Sequence, residues 1–149
     1  MDDPALDRLR IERQSFFTSM ASAFARRAFD EVAEGVVPDV TLTLQGNSWL
    51  AGTYRGYEEF SQYVLAARLV LEPAGKAMTY LHHGEEMVVM HEFEVGGRVG
   101  GPDIPLHISV QFGADGRLSS LVVQPKDQAL FDQAVDSYLR PRVRYVETA

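Results

Sequence analysis

Apolar residues recur at helical spacing through the first part of the chain. The intervals are three, four or seven, at Leu6, Leu9, Phe16, Phe17, Met20 and Phe24. One face of a helix would therefore be apolar, and the pattern predicts an amphipathic helix over residues 5–26. A second, shorter helix is predicted over residues 28–34, because Gly35 is a favoured helix terminator and Pro38 prevents a continuation.

Alternation of apolar and polar residues follows. Val40, Leu42 and Leu44 alternate with two threonines and a glutamine, which predicts a half-buried strand ending near residue 45. Another amphipathic helix is predicted over residues 57–71, where Pro73 and Gly75 stop it. Its apolar face consists of Phe60, Tyr63, Val64, Ala67 and Leu71.

Four further strands are predicted in the second half of the chain, over residues 77–83, 86–95, 105–112 and 118–124. Turn residues separate them at 83–84, at 96–102 and at 114–116, where Ala-Asp-Gly is typical of a hairpin. Asp127 is a good N-cap for a last helix, which Arg140-Pro141 is expected to end. The inward face of that helix would carry Leu130, Phe131, Val135, Tyr138 and Leu139.

This order of elements predicts an α+β fold. Two or three helices surround one strand, an antiparallel meander of four strands follows, and a helix comes last. The economical packing lays helices across the concave face of a curved mixed sheet. We therefore expect a cone with an internal pocket, formed by a single domain over residues 1–149 with its core at about residues 5–139.

Composition narrows the class of partner. The chain has 149 residues, no cysteine and a formal net charge of −7, which excludes a disulfide framework, a thiol nucleophile and a thiolate metal site. Nucleic acid is an unfavourable partner, because its binding requires a basic face. No run of about 18 apolar residues is present, and the N-terminus lacks the apolar block of a signal peptide. We expect a cytoplasmic protein with no membrane partner.

Two stretches of the sequence resemble a known family. The first joins Pro38-Asp-Val-Thr-Leu-Thr-Leu44 to Leu50-Ala-Gly-Thr-Tyr-Arg-Gly56, and the second joins Asp115-Gly-Arg-Leu118 to Pro125-Lys-Asp-Gln-Ala-Leu-Phe-Asp132. Over about residues 16–139 the chain resembles SnoaL-like members of the nuclear-transport-factor-2-like (NTF2-like) superfamily. The resemblance implies the cone fold. It implies no single chemistry, because the superfamily includes isomerases, dehydratases, epoxide hydrolases, polyketide cyclases and proteins without a reaction.

Templates from that superfamily argue against two activities. Aligned by eye, ketosteroid isomerases place a tyrosine at Met20, the general-base aspartate at Leu44 and the oxyanion-hole acid at Ile108. Enolisation needs a base and a proton donor, so three apolar residues there oppose that reaction. Limonene-epoxide-hydrolase-like enzymes need an Asp-Arg-Asp set inside the cone, which the inward strand positions do not supply. SnoaL-related cyclases use an inward acidic residue, and Leu121 and Val123 offer none.

One titratable side chain falls on the inward face of the strand 86–95. Its odd positions are apolar except His91, whereas glutamates occupy even positions and mark the outer face. His91 is either a core histidine satisfied by a backbone carbonyl or a tyrosine, or a general acid/base or hydrogen-bonding group for a ligand. His107 falls on the outward face of its own strand.

The strand 77–83 leaves two orientations open. Either Tyr80 with His82 or Leu81 with His83 faces inward. The adjacent histidines do not suggest a metal site, because neighbouring strand residues point to opposite faces. No metal and no cofactor is expected.

Aromatic side chains are expected near the mouth of the cone, where they either plug the core or contact a ligand. Trp49 is the best candidate for ligand contact, because an indole on a loop offers an apolar wall with one polar group. Counting these and the inward positions, the predicted ligand-binding residues are Met20, Phe24, Leu44, Trp49, Tyr54, Tyr63, Tyr80, Ile108 and Leu121, with His91 as the catalytic candidate.

Two kinds of function remain open. The first is binding of a small apolar molecule, with a cyclisation, isomerisation or dehydration driven mainly by shape; polyketide-type cyclisation is its specific form. The second is a non-catalytic module, and a homodimer is expected under both. A cavity of roughly 300 Å³ or more with His91 at its wall favours the first, and a filled cone favours the second. The dimer would use the outer sheet face, with Val88, Met90, Glu92, His107, Ser109, Gln111 and Val122.

Overall fold

The computed structural model describes residues 3–95 and 103–148, with side chains described as far as residue 139. The predicted turn 96–102 lies outside the described residues. Within the described ranges, no helix is long and apolar enough to cross a bilayer. The elements are α1 (Pro4–Ala25), α2 (Phe29–Glu34), β1 (Val36–Leu44), β2 (Gly52–Arg55), α3 (Gly56–Val70), β3 (Leu71–Pro73), β4 (Thr79–His83), β5 (Glu86–Val95), β6 (Asp103–Phe112), β7 (Leu118–Pro125) and α4 (Gln128–Thr148).

The strands form one mixed, curved sheet. Its order is β2-β1-β7-β6-β5-β3, and β4 also pairs with β5. β1 runs parallel to β7, and the other pairs are antiparallel. The predicted four-stranded meander is confirmed as β4-β5-β6-β7. The short strands β2 and β3 were not predicted, because three or four residues carry no measurable alternation.

Helix α1 packs across the concave face of this sheet, as predicted. Asp3 caps its start, where Oδ1 accepts from the amides of Ala5 (3.0 Å) and Leu6 (3.3 Å). Its aromatic side chains meet strand residues edge to face: Phe16 with Phe112, Phe17 with Tyr80, and Phe24 with Phe93. The predicted α+β cone, a curved mixed sheet with N-terminal helices on its concave face, is therefore confirmed.

The buried Arg68 on α3 holds the end of α1. Its guanidinium donates to the carbonyls of Phe24 (3.1 Å) and Ala25 (3.0 Å) in the last turn of α1. It also donates to Leu71 O at 3.3 Å and to the Glu72 carboxylate at 2.8 Å. One arginine therefore fixes where α1 ends relative to α3 and β3.

Strand β1 begins earlier than predicted and contains Pro38. The pairing of β1 with β7 shifts register between Val36 and Thr41, so the proline occupies an irregular segment. Proline has no amide proton to give to a ladder, and a bulge is where a strand tolerates it. Pro38, which prevents α2 from continuing, is therefore itself part of β1.

The orientation of the strands follows the alternation. The inward positions Met87, Val89, His91 and Phe93 of β5 are buried. On β4 the open choice is settled in favour of Tyr80 and His82, which lie opposite Val89 and Met87 and are less exposed than their neighbours.

Helix α4 closes one end of the cone. It contacts α3, β5 and β7, and Phe131 and Val135 on it are completely buried. The predicted cap is confirmed, because Asp127 Oδ1 accepts from Leu130 N at 3.1 Å. The predicted end at Arg140-Pro141 is wrong, since the helix continues to Thr148. An internal proline removes one helical hydrogen bond and kinks a helix without always ending it.

Candidate functional site

A cavity of about 110 Å³ lies between the helices and the concave face of the sheet. Side-chain nitrogen or oxygen atoms in its lining belong only to His91 and Tyr63, so the lining is otherwise apolar. Its residues come from three helices and five strands: Phe17, Met20, Ala21, Phe24, Val32, Leu42, Phe60, Tyr63, Val64, Leu71, His91, Phe93, Leu106, Ile108, Leu118, Leu121 and Val123. A pocket of this kind accepts an apolar group and offers it very few hydrogen bonds.

Six of the predicted site residues meet at this cavity. They are Met20 and Phe24 from α1, Tyr63 from α3, and His91, Ile108 and Leu121 from the sheet. Other lining residues were missed, among them Phe17, Leu42 and Phe93. Each lies on the same face of its helix or strand as a residue that was predicted to line the site. The pattern of apolar residues could therefore have predicted them too.

Leu44 and Tyr54 do not line the cavity. Leu44 is buried at the end of β1, beyond Leu42 on the same face, so the cavity ends before it. Tyr54 packs its ring 4.9 Å from that of Tyr63 and donates to Leu50 O at 2.7 Å, which makes it structural.

Trp49 does not line the cavity either, because its loop is held against α4. The loop 45–49 is tied to that helix: Asn47 N donates to Asp132 Oδ2 at 3.0 Å and Trp49 N to Asp136 Oδ1 at 2.9 Å. The indole remains half exposed on the outside. The hydrophobic pattern of the sequence does not show that carboxylates on the polar face of α4 accept hydrogen bonds from the amides of this loop.

His91 is a buried imidazole without a protein hydrogen bond. It is 8% exposed, and its ring lies 4.4 Å from that of Phe93 at 55°. No described residue hydrogen-bonds to either ring nitrogen. The described residues therefore supply neither the backbone carbonyl nor the tyrosine that would satisfy a purely structural core histidine. Burial lowers the pKa of this imidazole below its usual value, and the ring is neutral at physiological pH. One nitrogen can then accept a hydrogen bond and the other can donate one.

Tyr63 is the second polar group of the lining. Burial raises the pKa of its phenol well above the usual range, with a smaller contribution from Tyr54. The hydroxyl therefore keeps its proton. Within residues 3–95 and 103–148 no hydrogen bond to it is found.

The sheet edge is interrupted beside His91. β4 pairs with β5 as far as Met90, and β3 pairs with β5 from Phe93 onward. Between them, residues 74–78 form a loop, anchored where Ala74 N donates to Glu92 O at 3.0 Å. His91 therefore lies opposite a loop and not a strand.

An outer groove of about 400 Å³ lies at this interruption. It is bounded by the loop, by Tyr80 and by a row of small residues on α1, and it shares Ala21 and His91 with the cavity. Tyr80 lies here and not in the cavity, with its hydroxyl 2.5 Å from Thr18 Oγ1. The row on α1 consists of Thr18, Ala21, Ser22 and Ala25.

The other inward histidine, His82, is held in a different environment. Its Nε2 lies 2.6 Å from Gln14 Nε2, whose amide donates to the unprotonated ring nitrogen. Burial and then the charges of Arg10 and Arg13 lower the pKa of this imidazole. Among the described residues, no three His, Cys, Asp or Glu side chains converge as a metal site would require.

The sequence matches no family model and no curated protein. Solved structures do match the fold. An NTF2-like protein from Burkholderia xenovorans LB400 is 19% identical with a TM-score of 0.66, covering 83% of this chain and 95% of that one. TerC, co-crystallised with polyporic acid, is 17% identical with a TM-score of 0.69, covering 84% and 98%. A steroid delta-isomerase from Pseudomonas aeruginosa is 17% identical with a TM-score of 0.62, covering 93% and 96%. The chain has the NTF2-like cone fold.

Proposed function

We propose that the protein binds a small apolar molecule in the cone cavity and uses His91 as its polar contact. One observation carries this proposal: a nine-tenths buried imidazole in an apolar wall, with no hydrogen bond to any described residue. The imidazole therefore has hydrogen-bonding capacity, next to an apolar surface, that no described side chain uses. A ligand with one hydrogen-bonding group is the natural complement.

The size of the cavity limits the ligand. At about 110 Å³ it lies below the roughly 300 Å³ of a pocket for drug-sized molecules, yet the cone is not filled. A dry apolar cavity of about 150 Å³ holds one benzene. The buried part of the ligand is therefore about one small ring or a short branched chain.

The reaction that fits this lining is proton transfer next to a carbonyl, as in an isomerisation, a dehydration or a polyketide-type cyclisation of the SnoaL-like kind. Neutral His91 would take the proton from carbon, and the Tyr80 hydroxyl, which lines the adjoining groove with His91, would supply the hydrogen bond to the carbonyl oxygen. The proposed proton transfer would not use the catalytic positions of ketosteroid isomerases, because those positions are occupied here by the apolar residues Met20, Leu44 and Ile108. The fold of the steroid delta-isomerase and of TerC is compatible with small-molecule chemistry in such a cone.

Binding is tested by nitrogen-15 NMR of the histidine side chains. Addition of p-cresol, cyclohexanone or cyclohex-2-enone should shift the imidazole resonances of His91. Those of the exposed His83, on the other face of the sheet, serve as the internal control. Resonances of His91 that remain unchanged with all three molecules would contradict the proposal.

Catalysis is tested by deuterium uptake at the α-carbon of cyclohexanone in D₂O. His91 would remove the proton and return a deuteron from solvent, so no net bond change is needed. Replacement His91→Gln should reduce the rate by roughly 10²- to 10⁴-fold. Binding without exchange would identify a binding protein and not an enzyme.

A second candidate function, a non-catalytic homodimeric module, is favoured by the outer face of the sheet. Leu81, Val88, Ser109, Val122 and Thr43 lie side by side across five strands there. Leu81 is 53% exposed. On the same face, His107 Nε2 is buried without a hydrogen-bond partner in the described part of the chain. A second copy covering this face would bury the apolar row and could satisfy the imidazole.

A further inference from the structure

We infer that the interrupted sheet edge beside His91 is the entrance to the cavity. We further infer that it admits an uncharged amphiphile, whose apolar ring enters the cavity while one neutral polar group stays between His91 and Tyr80. This inference rests on the proposed function, and it adds the route into the site and the chemical class of the ligand.

The cavity and the groove adjoin at two residues. The two spaces share only Ala21 and His91. A methyl group and one imidazole therefore separate them. Neither β3 nor β4 pairs with β5 at residues 91–92, and the single backbone hydrogen bond from Ala74 N to Glu92 O ties the loop there.

The other two sides are closed more firmly. At the far end, α4 inserts Phe131 and Val135, and both are completely buried. A smaller groove of about 180 Å³ between α2 and α3 also adjoins the cavity. Val32, Phe60 and Val64, each at most 5% exposed, lie between this smaller groove and the cavity. Three packed apolar side chains would have to move for a ligand to pass there.

Two polar groups identify the head of the ligand. The His91 ring is without a described hydrogen-bond partner, and the Tyr80 hydroxyl faces the same groove. Tyr80 is already engaged with Thr18 at 2.5 Å and makes a weak contact to Met78 Sδ at 3.9 Å, which a ligand oxygen would replace. A hydroxyl or carbonyl oxygen satisfies both groups at once.

The charges around the groove favour a neutral head. Lys76 is the charged residue in its lining, and its ammonium is paired with Glu92 at 3.2 Å and with Asp103 at 2.9 Å. One cation between two carboxylates leaves a net charge of −1, so a carboxylate ligand would be repelled. A phenol or a ketone carries no charge and would not be repelled.

The test compares three probes that share one ring: p-cresol, toluene and p-toluate. Titration calorimetry on the wild type should show p-cresol binding on the order of tenfold tighter than toluene, because of the additional hydrogen bond. p-Toluate should bind more weakly than p-cresol. Replacement His91→Phe should abolish the preference for p-cresol over toluene.

The route is tested with matched substitutions, one in each groove. Ala21→Leu narrows the proposed entrance, and Ser61→Leu narrows the groove between α2 and α3. Ala21→Leu should lower the association rate of p-cresol by roughly tenfold or more, whereas Ser61→Leu should leave it unchanged. If Ala21→Leu does not fold, Ser22→Phe obstructs the same groove from an exposed position.

The outcomes separate the two proposals. If none of the probes binds, the proposed function fails and this inference fails with it. If p-cresol binds but only Ser61→Leu slows it, the entrance lies between α2 and α3. Equal affinity for toluene and p-cresol would remove the polar subsite, and tighter binding of p-toluate would overturn the neutral head group.

Discussion

The imidazole of His91 packs against the ring of Phe93, with the ring centres 4.4 Å apart. Both side chains point inward from β5, and both line the cavity. Since no described residue hydrogen-bonds to His91, packing positions this ring. That relationship has a direct consequence for stability.

Replacement His91→Phe should leave the free energy of unfolding within about 1 kcal/mol of the wild type, or raise it. The substitution removes no hydrogen bond to a described residue and keeps a planar ring that can pack against Phe93. As a contrast, Phe93→Ala should cost about 3–5 kcal/mol by leaving a larger cavity. Urea denaturation measures both. A loss above about 2 kcal/mol for His91→Phe would show that the imidazole makes a stabilising hydrogen bond.

Stability should fall as the pH drops below about 6.5. Burial lowers the pKa values of His91 and His82 in the folded state, so the unfolded chain takes up these protons first. The full stability is present above the unfolded pKa and is lost as the pH falls towards the folded one. Each group contributes a slope of at most about 1.4 kcal/mol per pH unit. Denaturation at pH 7.5 and 5.5 should show a smaller loss in His91→Phe than in the wild type.

Arg68→Met should destabilise the fold by about 3 kcal/mol, because it leaves the carbonyls at the end of α1 and the Glu72 carboxylate without their donor. Arg26→Met is the matched control. Arg26 also makes an ion pair, with Glu31, but both side chains are more than half exposed, so the cost should stay below about 1 kcal/mol. Equal losses in chemical denaturation would contradict the role of Arg68.

The outer sheet face should form the homodimer. Light scattering at micromolar concentration should give twice the 16.6 kDa chain mass. Val88→Arg, at the centre of the apolar row, should return the monomer. Leu69→Arg is a matched control on α3, where the leucine is 69% exposed, and it should leave the dimer intact. A wild-type monomer would end the proposal.

Asp136→Ala should loosen the loop 45–49. The carboxylate accepts from Trp49 N at 2.9 Å, and its loss should cost about 1 kcal/mol. Trp49 is the sole tryptophan of the chain, so acrylamide quenching of its fluorescence reports on the loop and should increase. Asp136→Asn keeps an acceptor oxygen and should quench like the wild type. Unchanged quenching in Asp136→Ala would show that other contacts hold the loop.

Alternation and helical spacing were sufficient for the sheet order of the meander, the packing of α1 and the inward position of His91. Each depends on a pattern longer than five residues. What could not be predicted depends on contacts between distant parts of the chain. Trp49 was placed at an open mouth because nothing in its own sequence shows that Asp132 and Asp136 accept from that loop.

The groove beside His91 was also missed, and for a similar reason. It exists because β3 and β4 pair with the same edge of β5 and leave a gap between them. The three-residue strand β3 has no pattern of its own. The next strand was therefore predicted to begin at residue 77, and no groove was recognised at residues 74–78.

The parallel pairing of β1 with β7 governs when this site can exist. Leu42 and Leu121 lie side by side in that pairing and both line the cavity. During synthesis β1 emerges from the ribosome before β7. Until β7 follows, β1 lacks the strand with which it forms this wall of the cavity, and such long-range pairings form slowly. A ligand can therefore stabilise the chain only once β7 has emerged, because the wall against which it would pack is incomplete before then.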